Sequence, residues 1–108
     1  MRRSVLFGLV AAVVMSSASA AMADTRWERH HPRRDQVNDR LEWQHHRINH
    51  EYREGELTRG QVHELRLEDR GIRHQERFFA SRHDGHITRG EQRLLNREEN
   101  GVSHQIGR

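Results

Sequence analysis

The sequence predicts an all-α fold, a three-helix antiparallel bundle built from repeated helix–turn–helix units. Three observations lead to this prediction. Apolar residues recur every three or four positions over most of the chain, which is the period of an amphipathic helix. One segment of the chain is repeated, and each copy begins with a residue pattern that is typical of helix starts.

Residues 1–23 have the pattern of a cleaved secretory signal peptide. A basic start at Arg2 and Arg3 precedes an apolar run, and two A-x-A cleavage patterns follow, ending at Ala20 and Ala23. The apolar run is too short to cross a bilayer as a helix. We therefore expect a soluble, exported, periplasmic protein without a membrane segment after cleavage. The remaining chain divides into a flexible leader over 24–33 and a helical domain over 34–108.

Three helices are predicted within the helical domain, at roughly 34–53, 58–82 and 88–105. Turns over 54–57 and 83–87 are expected to join them. The apolar residues of each helix share one face, and together they form the predicted core. These residues are Val37, Leu41, Ile48, Tyr52, Val62, Leu65, Ile72, Phe79, Leu95, Val102 and Ile106.

The repeat joins each turn to the helix that follows it. Residues 54–75 and 84–105 are identical at nine of 22 aligned positions. In each copy a threonine is followed three residues later by glutamine or glutamate. This pattern predicts a capping box, in which the two side chains bond each other's backbone amides. The glycines at 55 and 85 predict positive φ in the turns.

Each turn with its cap resembles the second half of an EF-hand calcium loop. Residues 84–91 read DGHITRGE, which is similar to the EF-hand pattern D-G-x-I-T-x-x-E. The chain as a whole resembles small exported bacterial proteins that carry two such units behind a signal peptide. The resemblance implies an alternative fold, a degenerate EF-hand-like pair, in which Leu57 and Ile87 would pair across a short strand.

The first half of each loop departs from the EF-hand pattern. Calcium requires a cage of oxygen ligands that begins at the first and third loop positions. The second loop has Ala80 and Arg82 there. The first loop has His50 and Tyr52 there, and Gln61 replaces its final glutamate. We therefore expect no ordinary calcium site.

Composition and charge exclude several classes of function. The chain has no cysteine, so no disulfide stabilises it. Without the signal, 17 arginines face 16 acidic residues, a net charge of +1 with neutral histidines. Because the two signs alternate along the chain, they indicate solvated helix faces rather than a nucleic-acid surface. Ser81 and Ser103 do not lie in a nucleophile elbow, and so small a domain offers little pocket, so we predict no enzyme.

Histidine is unusually abundant, with ten residues in the chain. Imidazole is a common ligand of transition metals, so we predict a site for Zn(II), Cu(II) or Ni(II). His46 and His50 are one helical turn apart on the first predicted helix, and His63 would join them if the first turn folds as predicted. His83, Asp84 and His86 lie together in the second predicted turn. The candidate ligands are His46, His50, His63, His83, Asp84 and His86. His30 and His31 could add mobile ligands.

An alternative function needs no metal. Trp43, Leu67 and Phe78 lie off the predicted apolar stripes, and apolar residues at such positions can form a contact surface. The protein would then be a helical interaction module that docks another protein of the bacterial envelope. One sequence leaves both functions open.

Overall fold

The computed structural model of the protein describes residues 25–107, and it is all-helical. Its four helices are α1 (Arg26–His30), α2 (Pro32–Arg53), α3 (Arg59–Ser81) and α4 (Arg89–Ile106). No strand occurs among the residues described, and none of their helices is both long and apolar enough to cross a membrane. The predicted signal peptide lies outside these residues. The chain divides into two compact units, the first ending at His30 and the second containing α2, α3 and α4.

Helix α1 lies within the segment predicted as a flexible leader. The Thr25 hydroxyl accepts a hydrogen bond from the Glu28 amide at 3.1 Å, and the Glu28 carboxylate accepts one from the Thr25 amide at 2.6 Å. This is a third capping box. The threonine-to-glutamate spacing that signals it is present in the sequence at Thr25 and Glu28.

Helix α2 begins two residues earlier than predicted. Pro32 occupies its first turn, where a missing amide costs no hydrogen bond and the fixed φ suits a helix. The preceding His31 makes no side-chain cap. Proline therefore sets this start without a capping box, whereas the other helices rely on threonine.

Helices α3 and α4 begin with the predicted capping boxes. The Thr58 hydroxyl accepts from the Gln61 amide at 3.2 Å, and the Thr88 hydroxyl accepts from the Glu91 amide at 3.1 Å. The predicted positive φ values are also confirmed, at 80° for residue 55 and 89° for residue 85. Helix α3 starts and ends one residue inside its predicted bounds, and α4 begins and ends one residue later than predicted.

The core lies where α2, α3 and α4 meet, since each of the three packs against the other two. Most of the predicted core is buried, but Tyr52 remains 42% exposed and Phe79 is only partly buried. Tyr52 belongs to the last turn of α2, close to the point where the chain leaves the helix, so its ring lies at the end of the core. The buried apolar residues are Val37, Leu41, Ile48, Leu57, Val62, Leu65, Ile72, Ala80, Ile87, Leu95, Val102 and Ile106.

The EF-hand-like pairing of Leu57 with Ile87 is wrong. Both side chains are buried, but the described residues contain no strand, and the two lie at opposite ends of α2. The Leu57 amide donates to the Glu51 carbonyl beside the carboxyl end of α2. The Ile87 carbonyl instead accepts from Arg33 at the amino end of that helix. Helices as long as α2 and α3 place successive turns at opposite ends of the domain, which prevents the pairing.

The repeat determines how α3 packs against α4. The Gln75 amide donates to the Glu98 carboxylate at 2.5 Å, and the Gln105 amide donates to the Glu68 carboxylate at 3.1 Å. Residues 75 and 105 are equivalent in the repeat, and so are residues 68 and 98. The same contact therefore occurs twice with the helices exchanged, which is the relation that a local two-fold axis produces.

Candidate functional site

The amino end of α2 and the turn before α4 are held together by arginine contacts to the backbone. Arg33 donates to the Ile87 carbonyl at 3.4 Å, and Arg34 donates to the Gly85 carbonyl at 3.1 Å. The turn is stabilised internally by the Gly85 amide, which donates to the Ala80 carbonyl at 2.8 Å. These contacts position the side chains of residues 82–88 beside the start of α2.

Three histidines and a glutamate surround this turn. The rings of His31 and His86 are stacked, with centroids 4.6 Å apart and an angle of 15° between their planes. The Nε2 atom of His83 lies 3.4 Å from a carboxylate oxygen of Glu91. Asp84 lies in the same turn with a φ of 53°. The structure thus adds His31 and Glu91 to the group of His83, Asp84 and His86 predicted from the sequence.

Glu91 carries a negative charge at this turn. Partial burial acts to raise its pKa, but the Thr88 amide and hydroxyl and the neighbouring His83 outweigh that effect, and the net shift of the pKa is downward. A carboxylate that is held ionised beside an imidazole attracts cations. The turn therefore combines imidazole nitrogens with a carboxylate that is held ionised.

The other predicted ligands do not meet. His46 and His50 are exposed on α2, and each lies within 4.0 Å of a glutamate four residues away, Glu42 on the same helix and Glu54 just after its end. His63 is exposed on α3. Within residues 31–107, no three histidine, aspartate or glutamate side chains bring ligand atoms within 4.8 Å of one another. Metal binding at any of the predicted residues stays a prediction.

The interior contains polar residues that were not expected there from the sequence. Glu76 is buried and paired with Arg34, whose Nε lies 2.5 Å from its carboxylate. Gln44 is also buried, and its amide donates to the Glu99 main-chain carbonyl at 2.6 Å. These positions interrupt the apolar stripes at core spacing, so helical periodicity could have placed them inside.

Glu99 is the most unusual of these groups. Its side chain is fully buried, and no described residue donates a hydrogen bond to either carboxyl oxygen. Burial raises its pKa to about 8, although Arg40, with its Nε 3.8 Å away, acts in the opposite direction. Burial also raises the pKa of Asp69, its equivalent in the repeat, to about 6. Burial solvates a charge poorly, so both carboxyl groups keep their proton to a higher pH than exposed ones do.

Some large apolar side chains remain in contact with solvent. Trp43 on α2 is 65% exposed and Phe78 on α3 is 56% exposed, and Leu67 is exposed on the same helix. Arg82 lies over the Phe78 ring, 5.7 Å from its centroid. Leu67 and Phe78 are eleven residues apart, close to three full helical turns, so they share one face of α3.

The chain matches no protein-family model, no curated protein and no solved structure.

Proposed function

We propose that this is a small exported helical protein without enzymatic activity that binds a divalent transition metal in the periplasm. The observation that supports metal binding most directly is the stack of His31 on His86, in the turn whose His83 also faces Glu91. The two stacked residues are far apart in the sequence, and only folding brings them together. Zn(II), Cu(II) and Ni(II) are the ions that such a set of nitrogen donors and a carboxylate suits.

The position of the histidines supports the same proposal. None of the ten histidines is buried, so the core does not use them. Neutral imidazole is a common metal ligand, so histidines outside the core are candidates for that role. In a tetrahedral site with nitrogens about 2.0 Å from Zn(II), neighbouring nitrogens are about 3.3 Å apart. The ring centroids of His31 and His86, at 4.6 Å, are near enough for side-chain rotation to reach that geometry.

Calorimetry with Zn(II), Cu(II) and Ni(II) at about pH 7.4 tests the proposal. We expect the double change His31→Ala and His86→Ala to weaken the tightest binding step by at least about tenfold. Binding should also weaken as the pH is lowered, because protonated imidazole cannot ligate. Circular dichroism checks that the variant keeps its helix content.

The matched control removes two imidazoles from α2 with the changes His46→Ala and His50→Ala. We expect this control to keep the tightest step. If the control loses that step and the His31 and His86 variant keeps it, the site predicted on the first hairpin binds the metal. If neither variant differs from the wild type, metal binding at both of these histidine pairs is excluded.

The finer architecture and the location are part of the proposal. Contacts between α2 and α4 keep the same order along both helices, as between Arg40 and Asn96 and between Arg47 and Ser103. The α3–α4 contacts run in the opposite order. Both patterns support a three-helix antiparallel bundle in which α2 and α4 point the same way.

The signal-like pattern of residues 1–23 supports export, and mass spectrometry of the exported protein would detect cleavage after Ala20 or Ala23.

A second candidate is an interaction module for an envelope protein without a metal role. The observation in its favour is the exposure of Leu67 and Phe78 on one face of α3. Crosslinking in cells through a photoreactive residue at position 78 would test it. A defined envelope partner, lost when Leu67 is changed to Glu, supports this function, and the absence of any crosslink excludes it for this face.

A further inference from the structure

A groove between α2 and α3 has a concentration of positive charge that the alternating sequence does not suggest. It encloses about 550 Å³, and the buried Leu41 lies at its base. Three arginines of α3 line it at positions 66, 70 and 73, which share one helix face because they are four and three residues apart. The groove is remote from the histidine turn, because its arginines lie near the middle of α3.

The arginines have unused donors. Within residues 31–107, Arg66 donates to Asn49 at 2.5 Å, whereas Arg70 and Arg73 make no hydrogen bond and no ion pair. Each guanidinium presents several donors in a planar fork, and this fork matches the oxygens of phosphate and sulfate groups. Two such groups on successive turns of one helix can hold a tetrahedral oxyanion from one side.

One further residue of the groove can regulate its charge. Asp69 lies between Arg66 and Arg70 in the sequence, and its Oδ1 atom is buried without a hydrogen-bond partner among the described residues. Glu42 is the other acidic residue of the groove, and His45 is the remaining ionisable one. Three guanidinium charges therefore face two carboxyl groups.

We propose that this groove binds a multivalent phosphate-type oxyanion, either free or in a lipid headgroup, and that Asp69 opposes binding when it is ionised. A negative charge at the base of the groove repels the ligand and partly neutralises the arginines. Protonation of Asp69 removes that charge, so binding of the anion and uptake of the proton favour each other.

The electrostatics of Asp69 determine the pH range of this coupling. Burial, reinforced by the neighbouring Glu68 and opposed by Arg73, raises its pKa to about 6. Affinity for the anion should therefore rise as the pH falls through this value. The charged and titratable groups near Asp69 come from all three helices. They are Arg66, Glu68, Arg70 and Arg73 on its own helix, Glu42 and His45 on α2, and Glu99 on α4.

Calorimetry with sulfate on the full chain tests the site, because sulfate stays a dianion over the whole range. At equal ionic strength, sulfate should bind more tightly than chloride. The affinity for sulfate should be about tenfold higher at pH 5.5 than at pH 7.5. The change Asp69→Asn keeps the shape of the side chain but cannot ionise. It should raise the affinity at pH 7.5 and remove most of the pH dependence, and His45→Gln measures what the imidazole adds.

Two arginine variants locate the site. The change of Arg70 and Arg73 to Gln should abolish sulfate binding. The change of Arg93 and Arg97 to Gln, which removes the same charge from exposed positions of α4, should leave it intact. Equal binding by both variants would overturn the proposal, and so would sulfate binding no tighter than chloride binding. Circular dichroism verifies the fold of each variant.

Vesicles distinguish the two sources of the oxyanion. Phosphatidylcholine vesicles with and without phosphatidic acid are sedimented with the protein at about pH 5.5. Sedimentation that requires both phosphatidic acid and the arginines at 70 and 73 assigns the site to a lipid headgroup. Sulfate binding without such sedimentation assigns it to a free oxyanion, and either result supports the groove.

Discussion

Glutamine in place of Glu99 should stabilise the protein at neutral pH. The carboxyl group is fully buried, and among the described residues no donor reaches either of its oxygens. The nearest cation is the Nε atom of Arg40 at 3.8 Å, which is beyond hydrogen-bond distance. Folding at neutral pH therefore either buries a poorly compensated charge or takes up a proton. Glutamine has nearly the same shape and avoids both costs.

The magnitude follows from the pKa of Glu99. Burial raises this pKa from its ordinary value of 4.5 to about 8. The folded protein thus keeps a proton that the unfolded chain has released, and its stability falls as the pH rises from 4.5 towards 8. At pH 7 the difference amounts to about 3 kcal/mol, and we expect Glu99→Gln to recover most of it.

Urea unfolding at intervals between pH 5 and pH 8 measures the effect. Over this range Glu99 alone should cost the wild type about 3 kcal/mol, and the variant, which keeps only the smaller contribution of Asp69, should lose that much less. Glu64→Gln makes the same chemical change at an exposed position of α3 and should follow the wild type. A variant that is less stable than the wild type at pH 7 would refute the reasoning, because Glu99 would then be an ionised partner of Arg40 that stabilises the fold.

Further predictions concern caps, glycines and the buried ion pair, each measured by urea unfolding at pH 7. Thr88→Ala should cost about 1 kcal/mol, because it removes the cap of α4. Gly85→Ala should lower the free energy of unfolding by about 1 to 2 kcal/mol, because residue 85 has a φ of 89°. Gly71→Ala should raise it by up to about 1 kcal/mol, because the added methyl meets open space in a helix. Arg34→Met should cost about 3 kcal/mol by isolating the Glu76 charge, and adding Glu76→Leu should restore most of the stability. The cap prediction is contradicted if Thr88→Ala leaves stability unchanged, and the glycine prediction if Gly85→Ala and Gly71→Ala have equal effects. The ion-pair prediction is contradicted if the double variant is no more stable than Arg34→Met.

The helices were predictable because their signals are local. A threonine followed three residues later by glutamate or glutamine satisfies amides within one turn, so Thr58 and Thr88 mark the starts of α3 and α4 in the sequence itself. The glycines of the turns need positive φ for the same local reason. Helical period was equally informative for the core, because a residue's place on a helix face depends only on its spacing. Tyr52 is an exception, because the end of a helix extends past its partners.

The sites depend on contacts between segments that are distant in the chain. His83, Asp84 and His86 lie close together in the sequence itself. The stack of His31 on His86, in contrast, exists only because α2 begins beside the second turn. Long helices separate the turns, and this excluded the pairing of Leu57 with Ile87.

The distribution of charge also depends partly on the sequence and partly on the tertiary structure. Along the sequence positive and negative residues alternate and nearly cancel, which is a property of composition. Folding places three arginines of one helix face in a single groove and buries Glu99 where water cannot reach it. Electrostatic energy depends on distance and solvation in three dimensions, so only the tertiary structure could determine where these charges act.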